Sequence, residues 1–183
     1  MKKMIMFFCV VVLVLVALPT YAANKVVVIP LNTTSKSGPG DWKSVSVSSM
    51  GGIPRTSSVA TEQGTSCSNA IGRYTTSGTS EFMTVPIELP DGATITALTA
   101  VICDNTSSYS GSMYLYRSDS VSIASTGTSV AEASTTPFTK TTTTISSGRE
   151  VVDNSQYAYF LYMEINGSAG SALSPISGIV TLE

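Results

Sequence analysis

The chain has 183 residues, of which 10 are Lys or Arg, 12 are Asp or Glu and none is His, so its formal net charge is −2. This length allows one domain of ordinary size, and the scarcity of basic residues argues against nucleic-acid binding, which needs clustered Lys and Arg. The absence of His argues against Ser-His-Asp and Cys-His catalysis and removes the commonest metal ligand.

The N-terminal segment has the layout of a secretory signal peptide. Two lysines precede an uncharged apolar run that ends at Leu18, and small, turn-forming residues follow up to Ala22. A retained transmembrane anchor is the alternative, but the run of about 15 residues is shorter than the roughly 20 that span a bilayer. We therefore predict a cleaved signal peptide over residues 1–22, a single domain over 23–183, and a secreted or extracytoplasmic product, in the periplasm or at the cell surface.

The rest of the chain is typical of an all-β protein. No stretch of about 12 residues has apolar side chains at the helical spacing, whereas Val, Ile, Thr, Tyr and Ser dominate and suit a pleated, half-buried surface. The predicted strands cover residues 25–31, 42–48, 81–89, 93–104, 112–118, 121–125, 139–145, 156–165 and 173–182, and residues 70–75 pair briefly inside an otherwise irregular stretch, 51–80. Strands at this spacing predict a two-sheet antiparallel sandwich that resembles a jelly roll.

Two of these strands have informative alternation. In 112–118, Met113 and Leu115 share one face while Tyr114 and Tyr116 share the other. In 156–165 both faces are largely apolar, so we expect this strand to be central in its sheet and covered on both sides for most of its length.

Cys67 and Cys103 are the two cysteines that follow the predicted cleavage site. An even number of cysteines in an exported chain favours a disulfide. Cys67 lies in a Ser/Gly-rich stretch and Cys103 ends an apolar run, so the bridge is expected to pin a loop to a strand end. The alternative is two unpaired cysteines, with Cys103 a small buried apolar residue.

The segment LPDGATITALTAVICDN, residues 89–105, resembles small exported bacterial proteins of uncharacterised function, which carry a comparable turn into a strand that ends in Asp-Asn. The starting segment KVVVIPL, residues 25–31, and the late segment VDNSQYAYFLYMEI, residues 152–165, are similar to the same group. The shared motifs are turns and strands, so the resemblance implies a β-sandwich and an exported location, and it implies no activity.

The carboxylates carry no recognisable catalytic motif. A glycosidase would need two of them to converge across a cleft, but Asp91, Asp104 and Asp153 each lie at a turn, where an aspartate commonly accepts backbone N–H groups. Oxygen ligands from Asp104 and Asp153 with their neighbouring Asn105 and Asn154 would suit Ca²⁺, yet no calcium-loop motif is present. We therefore predict no catalytic residue, no metal site and no cofactor.

Aromatic side chains are the remaining candidates for ligand contact. Trp42, Tyr109, Tyr114 and Tyr116 would suit stacking on sugars, although aromatic residues in strands more often belong to the core. The N-terminal strand, residues 26–31, could also be donated to a neighbouring copy of the chain. The alternative, which is the more usual case, is that this terminal strand completes its own sheet.

The sequence therefore favours a non-enzymatic, secreted or cell-surface protein that acts in adhesion or as a structural subunit. The alternative is a carbohydrate-binding module. The expected partners are a surface glycan or further copies of the chain, without nucleic acid and without stable membrane insertion after cleavage.

Overall fold

The computed structural model describes residues 43–65, 67, 70–76, 81–106, 108–127, 136–166 and 170–183. The predicted signal peptide, the predicted strand at 25–31 and Trp42 lie outside the described residues. Within them, no helix is long and apolar enough to cross a membrane.

The described part of the chain is built almost entirely from strands, with short 3-10 turns at Ser49–Gly51 and Gly170–Ala172. The strands are β1 (Ser44–Ser48), β2 (Ile53–Pro54), β3 (Thr61–Thr65), β4 (Ile71–Thr75), β5 (Glu81–Ile87), β6 (Ile95–Asp104), β7 (Ser110–Arg117), β8 (Ser122–Ser125), β9 (Phe138–Thr142), β10 (Tyr159–Asn166) and β11 (Leu173–Leu182).

Two antiparallel sheets form the body of the fold. The four-stranded sheet has the order β1-β11-β6-β9, and the five-stranded sheet has the order β2-β5-β10-β7-β8. From β5 to β11 the chain passes repeatedly from one sheet to the other, which is the connectivity expected of a jelly-roll-like sandwich. The predicted fold class is confirmed.

Strict alternation along the strands creates the core between the sheets. On β10, Leu161, Met163 and Ile165 are buried, and on β7 Met113 and Leu115 are completely buried. Leu98 and Val180 come from the facing sheet and join the same cluster. Because successive side chains of a strand point to opposite sides, the residues between these positions form the outer faces of the sandwich.

The central part of the sandwich agrees with the strands that the sequence predicts. Gly92 takes a positive φ of 74° in the turn that precedes β6, a backbone conformation that glycine adopts without strain. Pro175 lies within the last strand, β11, which continues through it with a register shift relative to β6 between Pro175 and Ser177.

The stretch 51–80 contains more structure than expected. Besides the short β2, it holds β3 and β4, which pair in register as a separate two-stranded sheet. Gly72 of β4 packs against β11 so closely that an added Cβ would overlap Ser174 and Ile176. The brief pairing expected at residues 70–75 is observed as β4. Its partner β3 was not predicted because it lacks regular apolar alternation, and the position of the hairpin depends on contacts with distant parts of the chain.

A disulfide between Cys67 and Cys103 fixes the hairpin, with a Cα–Cα distance of 5.6 Å. Cys67 lies in the connection from β3 to β4, and Cys103 is the penultimate residue of β6. Both cysteines are buried. The predicted pairing, and its role in joining a loop to a strand end, are confirmed.

Candidate binding face

The outer surface of the five-stranded sheet carries a cluster of aromatic side chains. These are Phe82 on β5, Tyr114 and Tyr116 on β7, and Phe160 and Tyr162 on β10; we call this set the aromatic face. Each is partly exposed and alternates with buried side chains of its strand, although Arg117, which follows Tyr116, is itself only partly buried. They come together because β10 lies between β5 and β7 in the sheet.

The register places the rings directly beside one another. Tyr162 is opposite Tyr114, and Phe160 is opposite Tyr116, on adjacent strands. The Phe160 and Tyr116 rings are parallel within 2° at a centroid distance of 6.0 Å. Tyr162 contacts Tyr116 at 5.0 Å and Phe160 at 5.3 Å between ring centroids, so the rings form one continuous cluster.

The prediction for the strand at 156–165 is therefore correct in one respect and wrong in another. The observed strand, β10, is the middle strand of its sheet. Its inner side packs in the core, but the side chains of Phe160, Tyr162 and Glu164 on its outer side are only partly buried. In the described part of the chain no second layer covers this outer side. Its aromatic side chains pack against one another within the sheet instead.

Polar groups are arranged on and around the rings. The Tyr114 hydroxyl donates a hydrogen bond to a Glu164 carboxylate oxygen at 3.1 Å. Partial burial and the nearby Glu164 carboxylate raise the pKa of Tyr114, because both disfavour the charged phenolate. In the described part of the chain the hydroxyls of Tyr116 and Tyr162 make no protein hydrogen bond, which leaves them open to a ligand.

An arginine stands at one corner of the aromatic face. Arg55 follows β2, and its backbone N–H donates to the Phe82 carbonyl at 2.8 Å, which extends the pairing of β2 with β5. The carbon of its guanidinium lies 4.6 Å from the centroid of the Phe82 ring. Ile53, two residues earlier, is 67% exposed and adds an apolar edge to the same side of the sheet.

The structure brings two of the four predicted aromatic candidates together. Tyr114 and Tyr116 belong to the aromatic face, whereas Tyr109 is exposed before β7 begins. Five residues of extended chain separate Tyr109 from Tyr114, which corresponds to about 17 Å. Trp42 lies outside the described residues, as stated above.

Sequence reasoning missed Phe82, Phe160 and Tyr162. In the sequence, Phe160 and Tyr162 share the face of their strand opposite Leu161, which was the available signal for these two rings. Phe82 had no such signal, because it follows Glu81, a charged residue that the fold buries completely. The order of strands in the sheet was not visible, and that order is what places these three rings beside the two tyrosines of β7.

Most carboxylates that we considered as catalytic or calcium-binding have structural hydrogen bonds. Asp153 accepts from the Ser155 backbone N–H at 3.0 Å within its own turn. Asp91 accepts from the Asn154 backbone N–H at 2.8 Å and thereby joins two loops. Asp104, expected at a turn, is instead the last residue of β6 and is completely buried.

The described residues contain no group of three or more Asp, Glu, Cys or His side chains that could hold a metal ion.

Comparison with known proteins identifies similar folds. No protein-family model matches the chain, and no curated protein matches it. A solved family 6 carbohydrate-binding module, studied for its binding sub-sites, is similar with a TM-score of 0.51 and 13% sequence identity, over 75% of this chain and 93% of the module. An exo-β-1,3-galactanase from Phanerochaete chrysosporium, solved with galactose, has a TM-score of 0.46 and 11% identity, over 75% of this chain and 29% of the enzyme. The first likeness supports the β-sandwich fold alone, and the second carries no further argument.

Proposed function

We propose that this protein is a non-enzymatic carbohydrate-binding protein whose ligand lies on the aromatic face. The observation that carries the proposal is the continuous cluster of five partly exposed rings on one outer sheet surface. Contiguous apolar surface of this kind on a sandwich marks an interaction site. A fold similar to that of a carbohydrate-binding module adds weaker support.

The chemistry of the aromatic face suits a sugar better than a purely apolar partner. The C–H surfaces of a pyranose pack on apolar aromatic groups, while its hydroxyls need hydrogen-bond partners. The hydroxyls of Tyr116 and Tyr162 provide such partners beside the rings. Phe160 lies opposite Pro86 of β5, so along β5 the face extends from Phe82 to the level of Pro86, about 14 Å. Its three strands give it a width of about 10 Å. This is room for more than one sugar ring, so we expect an oligosaccharide.

A binding role agrees with how the nearby carboxylates are used. Glu164 is hydrogen-bonded to Tyr114, and both oxygens of Glu81 accept backbone N–H groups. A glycosidase needs a pair of carboxylates available to the substrate. We infer export of the protein as well, because its disulfide is typical of an oxidising compartment, and adhesion to surface glycans is the corresponding biological role. Self-assembly through residues 26–31 stays a separate prediction.

The test compares the purified protein with three tyrosine variants on a glycan array, followed by calorimetry with the best ligand. Tyr116→Ala and Tyr162→Ala are each expected to weaken binding about tenfold or more, since each removes ring surface and a hydroxyl. Tyr109→Ala is the matched control, because it removes an exposed tyrosine outside the aromatic face. Equal binding by all three variants, with folding intact, would overturn the proposal.

A further inference from the structure

Arg55 has the geometry of a ligand-binding group rather than a structural one. It is exposed, and its guanidinium lies over Phe82 at the edge of the aromatic face. In the described residues no carboxylate is within ion-pair distance of it. Its charge-assisted donors are therefore available to an incoming anion.

Arg117 gives a useful contrast. It also lies over an aromatic ring, with its guanidinium carbon 4.0 Å from the centroid of the Tyr157 ring. However, Arg117 forms a 2.7 Å ion pair with Asp119. Among the described residues, a carboxylate thus neutralises Arg117, whereas none is paired with Arg55.

The two carboxylates beside Phe82 are already engaged. Glu81 is completely buried, and its oxygens accept from the Phe82 backbone N–H at 2.7 Å and the Thr56 backbone N–H at 3.1 Å. Glu164, opposite Phe82 on β10, accepts from Tyr114, on the side away from β2. These hydrogen bonds partly offset the negative charges of Glu81 and Glu164, so an anion can still bind favourably beside Arg55.

We propose that the ligand of the aromatic face is an acidic glycan, whose carboxylate or sulfate group binds Arg55 while the adjoining sugar ring packs on Phe82. This inference rests on the proposed function and narrows its ligand class. The planar guanidinium offers two parallel N–H donors that match a carboxylate or a sulfate. The contact with Phe82 holds the side chain at the corner, which lowers the entropy lost on binding.

The test uses three sets of oligosaccharides: uronate-containing, sulfated and neutral. We expect the protein to prefer an acidic set, and the preferred set identifies which anion Arg55 binds. Arg55→Gln should lower the affinity for the acidic ligand about tenfold or more. Arg55→Lys, which keeps the charge but loses the planar fork, should have an intermediate affinity.

Lys43→Gln is the matched control, since it removes one exposed positive charge just before β1 in the other sheet. It is expected to leave the affinity unchanged. Preference for neutral sugars, or equal effects of Arg55→Gln and Lys43→Gln, would overturn the acidic ligand while the tyrosine variants could still support glycan binding. Binding to none of the three sets would overturn both proposals.

Discussion

The outer face of the four-stranded sheet and that of the five-stranded sheet are built on the same alternation but carry different side chains. On the four-stranded sheet, Ser46, Ile179, Thr99 and Thr141 follow one another across adjacent strands. The hydroxyls of Thr99 and Thr141 lie 2.8 Å apart and hydrogen-bond to each other. On the five-stranded sheet the corresponding positions carry the aromatic face.

This difference separates the requirements of folding from those of binding. Thr and Ser on the solvent side are sufficient for a strand to form, because Thr has high β propensity and its hydroxyl can hydrogen-bond to water or to a neighbouring side chain. On the four-stranded sheet the outer row carries Ser and Thr with the single apolar residue Ile179, and no aromatic cluster is found there among the described residues. We therefore attribute the five partly exposed rings of the other sheet to ligand binding, as proposed above.

The largest expected effect comes from comparing the two sides of β10. Leu161 is completely buried in the core, and its neighbour Tyr162 lies on the aromatic face. Leu161→Ala should lower the free energy of unfolding by about 3–5 kcal/mol, because it leaves a cavity between the sheets. Tyr162→Ala should cost about 1–2 kcal/mol, the value of partly exposed aromatic contacts. Chemical denaturation of both variants measures the difference, and equal losses would mean that the aromatic face is core-like.

The disulfide should affect stability without affecting binding. It fixes the β3–β4 hairpin, which packs against β11 of the four-stranded sheet, away from the aromatic face. Replacing Cys67 and Cys103 by Ser opens a loop with a sequence separation of 36 and should cost about 3–4 kcal/mol in the chain-entropy model.

Denaturation and calorimetry of this double variant test both halves of the prediction. Any lost affinity should be restored under conditions where the variant is fully folded. Affinity that stays low in the folded variant would contradict the separation of hairpin and face.

A smaller effect is expected from the turn before β10. Hydrogen bonds from the Ser155 side chain and backbone lower the pKa of Asp153 below its ordinary value of 3.8. Because the pKa of Asp153 is lower in the folded protein, its ionised carboxylate stabilises the fold at pH values above the ordinary pKa of 3.8. This stabilisation is lost as the pH falls through the lower pKa of the folded state.

Asp153→Asn should therefore destabilise the protein slightly near pH 7 and have a smaller effect at about pH 2. Urea denaturation of both proteins at the two pH values gives the comparison. If Asp153→Asn lowered the stability more at about pH 2 than near pH 7, the prediction would be wrong.

Much of the sandwich could be predicted from sequence because its strands have clear local signals. The alternation in β7 placed Met113 and Leu115 on one face and Tyr114 and Tyr116 on the other, as observed. The long strand predicted over residues 93–104 is observed as β6. The cysteine pairing followed from there being two cysteines after the predicted cleavage site.

The aromatic face and the pairing of β4 with β3 could not be predicted because both depend on which strands are neighbours. Phe82 and Tyr116 are far apart in sequence, and only the order β5-β10-β7 places both against Tyr162 of the strand between them. In the hairpin, Gly64 and Gly72 lie opposite each other and offer no apolar pattern. Its position is determined by the disulfide and by the close approach of Gly72 to β11.

The central claim is that ligand binds the outer face of the five-stranded sheet and not that of the four-stranded sheet. Nuclear magnetic resonance of the labelled protein, titrated with the best oligosaccharide from the array, tests this most directly. We predict that the backbone amides of Phe82, Tyr116 and Tyr162 shift with ligand while those of Ser46, Thr99 and Thr141 stay unchanged. Shifts confined to the second set, or to the loops at the ends of the sandwich, would contradict the account.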